Sequence, residues 1–197
     1  MLTDVAKSND VVGSTVMSNG GAQDGLSAKG QYKVVCHDKD GNIKWEAVSD
    51  NLVVNVGLQD MNAKYFTGSS YTGAFYLGLY GAAASNSPAA GDTMSSHAGW
   101  TEVTAYSQST RPACSFGTAT TANPSVTSNA VAYGGTPATF SINGTTTVGG
   151  AFLTTNNTKG GSTGTLFSAA DFQSPGDRSV VNGDTLTVTY TFSLDAV

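Results

Sequence analysis

Charge is the scarcest commodity in this chain. Only 12% of its 197 residues are Asp, Glu, Lys or Arg, about half the usual share. The nine Lys and Arg are scattered singly and the net charge is -5. A nucleic-acid groove needs a basic patch, so direct DNA or RNA binding is not expected. Long apolar runs are also missing, and none approaches the roughly 20 residues of a membrane span. The opening MLTDVAKSNDVVGSTVMSNGG has no apolar leader core, which suits a chain made and kept in a cytosol. Cysteine is limited to Cys36 and Cys114, which in a reducing compartment are more often buried thiols than a disulfide.

Two histidines restrict acid-base chemistry further. His37 follows Cys36 in an alternating run, and adjacent strand residues face opposite ways, so the pair cannot act as nucleophile and base. His97 lies in Ser95-Ser96-His97-Ala98-Gly99-Trp100, with no G-x-S-x-G elbow and no evident acid partner. A loop histidine packing beside Trp100 is the plainer reading. Asp38, Asp40 and Asn42 imitate the start of a calcium loop. The sixth position is Ile43 instead of Gly, and the twelfth is Ser49 instead of Glu, so a β-turn accounts for them. No zinc spacing, phosphate loop or carboxylate pair is found. The expectation is a protein with no catalytic residues, no metal and no cofactor, and not an enzyme.

What is abundant points to strands and turns. Gly reaches 24, and Thr, Ser and Asn are frequent; Thr, Val, Tyr and Phe favour strands, while Gly, Asn and Ser favour turns. Residues 31–37 and 43–47 alternate around Asp40-Gly41, a hairpin signal. Residues 138–142 alternate up to Asn143-Gly144 and 145–153 run on, predicting a second hairpin. Residues 74–80 read as a buried strand, and 186–194 are the cleanest alternation in the chain, with Leu186, Val188, Tyr190, Phe192 and Leu194 on one face. Short strands are also expected near 101–106, 112–117 and 165–167, a surface connection or a weak edge strand within 119–130, and a turn of helix near 92–96. Leu58, Met61 and Tyr65 fall on one helical face, so a single short helix is expected over about 57–66. With eight to ten short strands, the fold class is all-β, and the spacing suits a sandwich, a jelly roll or a barrel.

Residues 1–29 read as an extended N-terminal arm and 30–197 as the β-sandwich domain. The arm has only Val11, Val12, Val16 and Met17 as apolar anchors, too little for a core of its own. It is either a disordered tail or an arm that orders on a neighbour. Phe75, Leu77 and Leu79 share one strand face and read as core. Tyr76 and Tyr80 fall on the other face and, with Trp100 and the four arm residues, are the candidate protein-interface residues.

The runs GNIKWEAVSDNLVVNVGLQDMNAKYFTGSSYTGAFYLGLYG (41–81), SHAGWTEVTAYSQSTRPA (96–113), ATFSINGTTTVGGAFL (138–153), GTLFSAADF (164–172) and VVNGDTLTVTYTFSL (180–194) resemble sequences of tailed bacteriophages. The resemblance is to the small jelly-roll cement, or decoration, proteins that coat the capsids of some short-tailed phages. It implies a jelly-roll-like β-sandwich, and a place on the outer capsid surface of the virion after synthesis in the host bacterial cytoplasm. It implies the major capsid protein as partner, and a second copy of the chain, as a homodimer. Other readings are a tail, baseplate or head-fibre component, a glycan-binding module using the aromatics of 65–80 or Trp100, and, remotely, a hydrolase using His97.

Overall fold

The computed structural model describes residues 26–70, 73–84, 87–122, 124–173 and 176–196. Their strands are β1 (Leu26–His37), β2 (Ile43–Asp50), β3 (Leu52–Val53), β4 (Tyr76–Tyr80), β5 (Glu102–Val103), β6 (Val126–Ser128), β7 (Ala138–Ser141), β8 (Thr146–Val148), β9 (Gly150–Thr154), β10 (Leu166–Asp171), β11 (Arg178–Val180) and β12 (Thr185–Ala196). One α-helix, α1 (Asn55–Phe66), and one 3-10 turn, Val131–Tyr133, complete the set. The mostly β chain with one short helix is the expected class.

Two antiparallel sheets pack face to face as a sandwich. The first runs β2-β1-β12, with both β6 and β7 on the far side of β12; the second runs β3-β10-β9-β4-β5, and β8 pairs with β11 apart from both. The alternation seen in the sequence fixes which face is inside. Tyr32, Val34 and Cys36 of β1 stand in register with Tyr190, Val188 and Leu186 of β12, and all six are fully buried. Leu77, Leu79, Leu153 and Ala151 of the second sheet meet them in one core. At about 25 cal/mol per Å2, burying such side chains supplies the main driving force of the fold.

A polar thread crosses this core. The Tyr32 hydroxyl lies 2.7 Å from Ser168 Oγ, the Ser168 hydroxyl donates to Tyr190 at 3.2 Å, and the Asn51 amide donates to the same phenol at 2.9 Å. The Tyr32 and Tyr190 rings sit 4.6 Å apart. One strand of the second sheet is thereby tied to the two central strands of the first. Partners offset the cost of burying the hydroxyls of Tyr32, Ser168 and Tyr190.

The second sheet is buried on both faces. Every residue of β9 is buried, and β10 is buried up to Asp171, because the chain between β4 and β5 folds over the outer face. Met94 and Trp100 from that segment join Val54, Tyr80, Phe152 and Leu166 in a second cluster. Trp100 packs against Tyr80 at 5.0 Å and Phe152 at 5.2 Å. Glycines opposite these rings make room. Tyr80 pairs with Gly150, where an added Cβ would lie 2.1 Å from the tyrosine ring. The pairing of Phe152 with Gly78 repeats the device.

A buried ion pair anchors the long connections. The Arg111 side chain is inaccessible and Glu102 nearly so. The guanidinium donates to both carboxylate oxygens, at 2.9 and 2.7 Å. It also donates to the carbonyls of Asn156 and Gly161, and the Gly160 amide donates to Glu102. The bidentate geometry and carbonyl partners satisfy a charge that could not otherwise be buried.

Three expectations are corrected. Asn143-Gly144 does not close a hairpin: β7 pairs with β12 and β8 with β11. Gly144 lacks the positive φ that a type I′ turn needs. The Asp184 carbonyl and Gly183 amide instead hold Ile142, so the chain leaves for another sheet. β1 begins at Leu26, four residues inside the range assigned to the arm, because residues 26–29 find partners on β12. Residues 92–96 form no helix, and Thr93 bridges to Ser96. The expected Asp-Gly hairpin does form between β1 and β2, with Gly41 at φ 85°.

Two outcomes follow from this packing. Arg111→Ala leaves Glu102 buried without its partner and should cost about 3–5 kcal/mol, measured as a lower urea midpoint. Burial pushes the phenols of Tyr32, Tyr80, Tyr106 and Tyr190 above their ordinary 10.0, and the Cys36 thiol up to about 11 from 9.0. The fold favours the protonated forms, so their contribution is complete below those ordinary values and is lost as pH rises past them. Urea midpoints should therefore fall steeply from about pH 9 to pH 11, and a flat profile there would contradict the burial.

Candidate interaction surface

The chemistry-bearing groups singled out in the sequence are each held by local structure. Cys36 is buried while His37 points away from it, and both cysteines are free thiols. His97 stacks on Trp100 at 3.8 Å, with Nδ1 3.0 Å from the Trp100 carbonyl oxygen. Trp100 Nε1 donates to Asp92 at 3.0 Å. Asp38 accepts the amides of Asn42 and Asp40 at 2.8 and 2.9 Å. Those bonds, the Asn42 amide foremost, hold its carboxyl below the usual range. This is a turn motif in which the carboxylate serves the backbone. Among the described residues, no three His, Cys, Asp or Glu gather as a metal site, and no helix is long and apolar enough to cross a membrane.

The candidate interface residues are distributed unevenly. Val11, Val12, Val16 and Met17 lie outside the described residues. Tyr76 is partly buried on β4. Tyr80 and Trp100 are corrected: they are 0% and 4% exposed, because the segment over the outer face of the second sheet makes that face a second core. Neither ring is presented to a partner or a sugar.

The most exposed rings among the described residues are on α1 instead. Tyr65 is 83% and Phe66 76% exposed, and their rings meet edge to face at 4.8 Å. The expected apolar stripe Leu58-Met61-Tyr65 exists, but most of it does not face the core. Leu58 is exposed and Met61 alone packs against it. Gly57 decides the orientation. It is the one fully buried residue of the helix, and an added Cβ would stand 2.3 Å from the Phe167 carbonyl oxygen. The helix lies on β10 through this bare backbone, and the Asp60–Lys64 ion pair, 3.7 Å, flanks the contact. A signal for the exposure was present in the sequence. Consecutive helix residues point about 100° apart, so at most one of Tyr65 and Phe66 can face the middle of a buried stripe.

Met61 leads from this patch into an open apolar pocket between the sheets. Phe75, Phe116, Leu153, Phe167 and Phe192 wall it, and its volume is about 440 Å3. The rings pack edge to face, Phe75 to Phe167 at 5.8 Å and Phe167 to Phe192 at 5.5 Å. The pocket exists because β1 and β12 outrun the second sheet. Beyond the buried Tyr32 and Tyr190, the inward positions of the ribbon are Ala28, Phe192 and Leu194, only partly covered, and Leu26, 69% exposed. Concave, ring-walled apolar space of this size is the usual form of a binding site.

Gly57→Ala tests the seating of α1. The methyl must displace the helix from the Phe167 carbonyl, so a loss of about 1–3 kcal/mol is expected in urea unfolding. Stability equal to that of the unaltered chain would mean that the helix is not held this way. Compared with protein-family models, curated proteins and solved structures, the chain finds no match in any of the three.

Proposed function

We propose that this protein is a bacteriophage capsid decoration protein, one that binds the outside of the shell and stabilises it by bridging neighbouring major capsid subunits. The binding half of this reading is carried by one observation, the Tyr65–Phe66 pair. Two large rings that are 83% and 76% exposed cost solubility unless a partner covers them. They stand on a helix seated against a sheet through Gly57, so little ordering is needed on contact. The shell as partner comes from the motifs spread over residues 41–194, which resemble those of phage cement proteins. Self-association as a dimer belongs to the same reading.

The chemistry of the surface agrees with such a role. Decoration requires many weak contacts rather than turnover, and bridging several subunits multiplies each one. A polar, weakly charged Thr/Ser/Asn surface suits wet, hydrogen-bonded contacts. A tail, baseplate or head-fibre component would share these traits and differ in number. Purified particles should carry hundreds of copies of the chain on the outside of the head. A handful of copies would make it a tail or fibre part, and none would remove the virion reading. With Tyr65→Ser and Phe66→Ser together, shell occupancy should drop at least about tenfold, or ~1.4 kcal/mol, with the unfolding midpoint unchanged. Full occupancy would exclude the helix as the contact.

A further inference from the structure

We propose that the Val11–Met17 segment of this chain docks into the chain's own pocket between the sheets, with Val16 and Met17 against the rings of Phe75, Phe116, Phe167 and Phe192. The proposal does not depend on the shell reading. It starts from a surface that lacks a cover. The pocket of about 440 Å3 is walled mainly by apolar side chains, with Thr118 and Thr127 among them, and on the ribbon Leu194 and the exposed Leu26 follow Phe192 on the same face. An apolar hollow continuous with the main core loses contacts while it stands open.

The occupant is identified by reach and chemistry. At least 25 residues precede β1, and they join it at Leu26, on the overhanging end of the ribbon. Gly30, paired with Phe192, marks the pocket four residues further along β1, a span of ~13 Å at about 3.3 Å per residue. Residues 18–25, SNGGAQDG, separate Met17 from Leu26. Gly, Asn and Asp in that stretch favour a reversal of direction. A random-coil stretch of that length has a root-mean-square span of ~15 Å, close to the distance required. A linker whose length matches the span gives an effective concentration of about millimolar. At micromolar protein, a free second copy offers its segment at about a thousandth of that concentration.

Val11-Val12-Gly13-Ser14-Thr15-Val16-Met17 carries no charge, while Lys7, Asp10 and Asp24 flank it. Only an uncharged stretch can enter an apolar pocket without a large desolvation cost. Methionine adapts to irregular space and its thioether contacts ring edges favourably. No other stretch of residues 1–25 has both two apolar pairs and no charge.

Two measurements on the full chain test this. In hydrogen exchange, amides of residues 11–17 should be protected at least about tenfold over those of residues 1–8, and Met17→Asp should abolish the difference (about 1.4 kcal/mol per factor of ten). Equal exchange of the two stretches would overturn the proposal. For the second, Met17→Cys is combined with Thr118→Cys at the pocket rim, or with Val181→Cys on β11's side as control. Mild oxidation at micromolar protein should give a disulfide within one chain, at least about tenfold faster for the Thr118 partner than for the control. Equal rates would overturn the proposal, and so would disulfide-linked dimers, which would assign the pocket to the segment of a second copy.

Discussion

The rest of the molecule depends on the pairing of β1 with β12. These twelve-residue strands stay in register from Leu26 opposite Ala196 to His37 opposite Thr185 without a bulge. Every other strand of the first sheet hangs on this ribbon: β2 on β1, and β6 and β7 on β12. It joins the two ends of the described chain, so its loop-closure entropy is met only when the intervening residues are in place. The Tyr32–Ser168–Tyr190 thread then fixes the second sheet to the ribbon at mid-length. A slip of β12 by one residue would turn Tyr190 to solvent and deprive Ser168 and Asn51 of that partner.

The ribbon also explains where surface remains available. It is longer than the sheet that faces it. Over Tyr32 to Cys36 the two sheets close completely; beyond Tyr190 the first continues alone, and the pocket opens beneath Phe192. On the other side of the second sheet the opposite holds. There the segment carrying Met94 and Trp100 supplies an extra layer, and aromatic rings that could have met a partner are consumed in packing. Exposure in this protein is therefore set by differences in the lengths of packed layers, more than by the composition of any one strand.

The buried charges follow the same economy of support. Arg111 and Glu102 are far apart from any surface compensation, yet they bring together β5 and the carbonyls of two turns. Replacing such a pair by apolar residues is often neutral, while removing one partner is costly. Its structural value here is placement: the connection between β9 and β10 is held against β5, beside the ring of Phe152.

The sequence by itself determined the strand class, the inner faces of β1 and β12, the Asp-Gly hairpin, the burial of Cys36 away from His37, and the existence of α1. These are local: alternation, turn chemistry and 3.6-residue spacing act between residues close in the chain. Tertiary structure decided the partners. Asn143-Gly144 carried a hairpin signal, but β7 found a better neighbour in β12. Tyr80 alternated as an outward residue, but Met94 and Trp100 cover it. Leu58 and Tyr65 marked an apolar helix face that Gly57 turned outward, because the closest approach to β10 was available only where no side chain stood. Which layer lies over which residue is a property of the whole chain, and periodicity reports only that two faces differ.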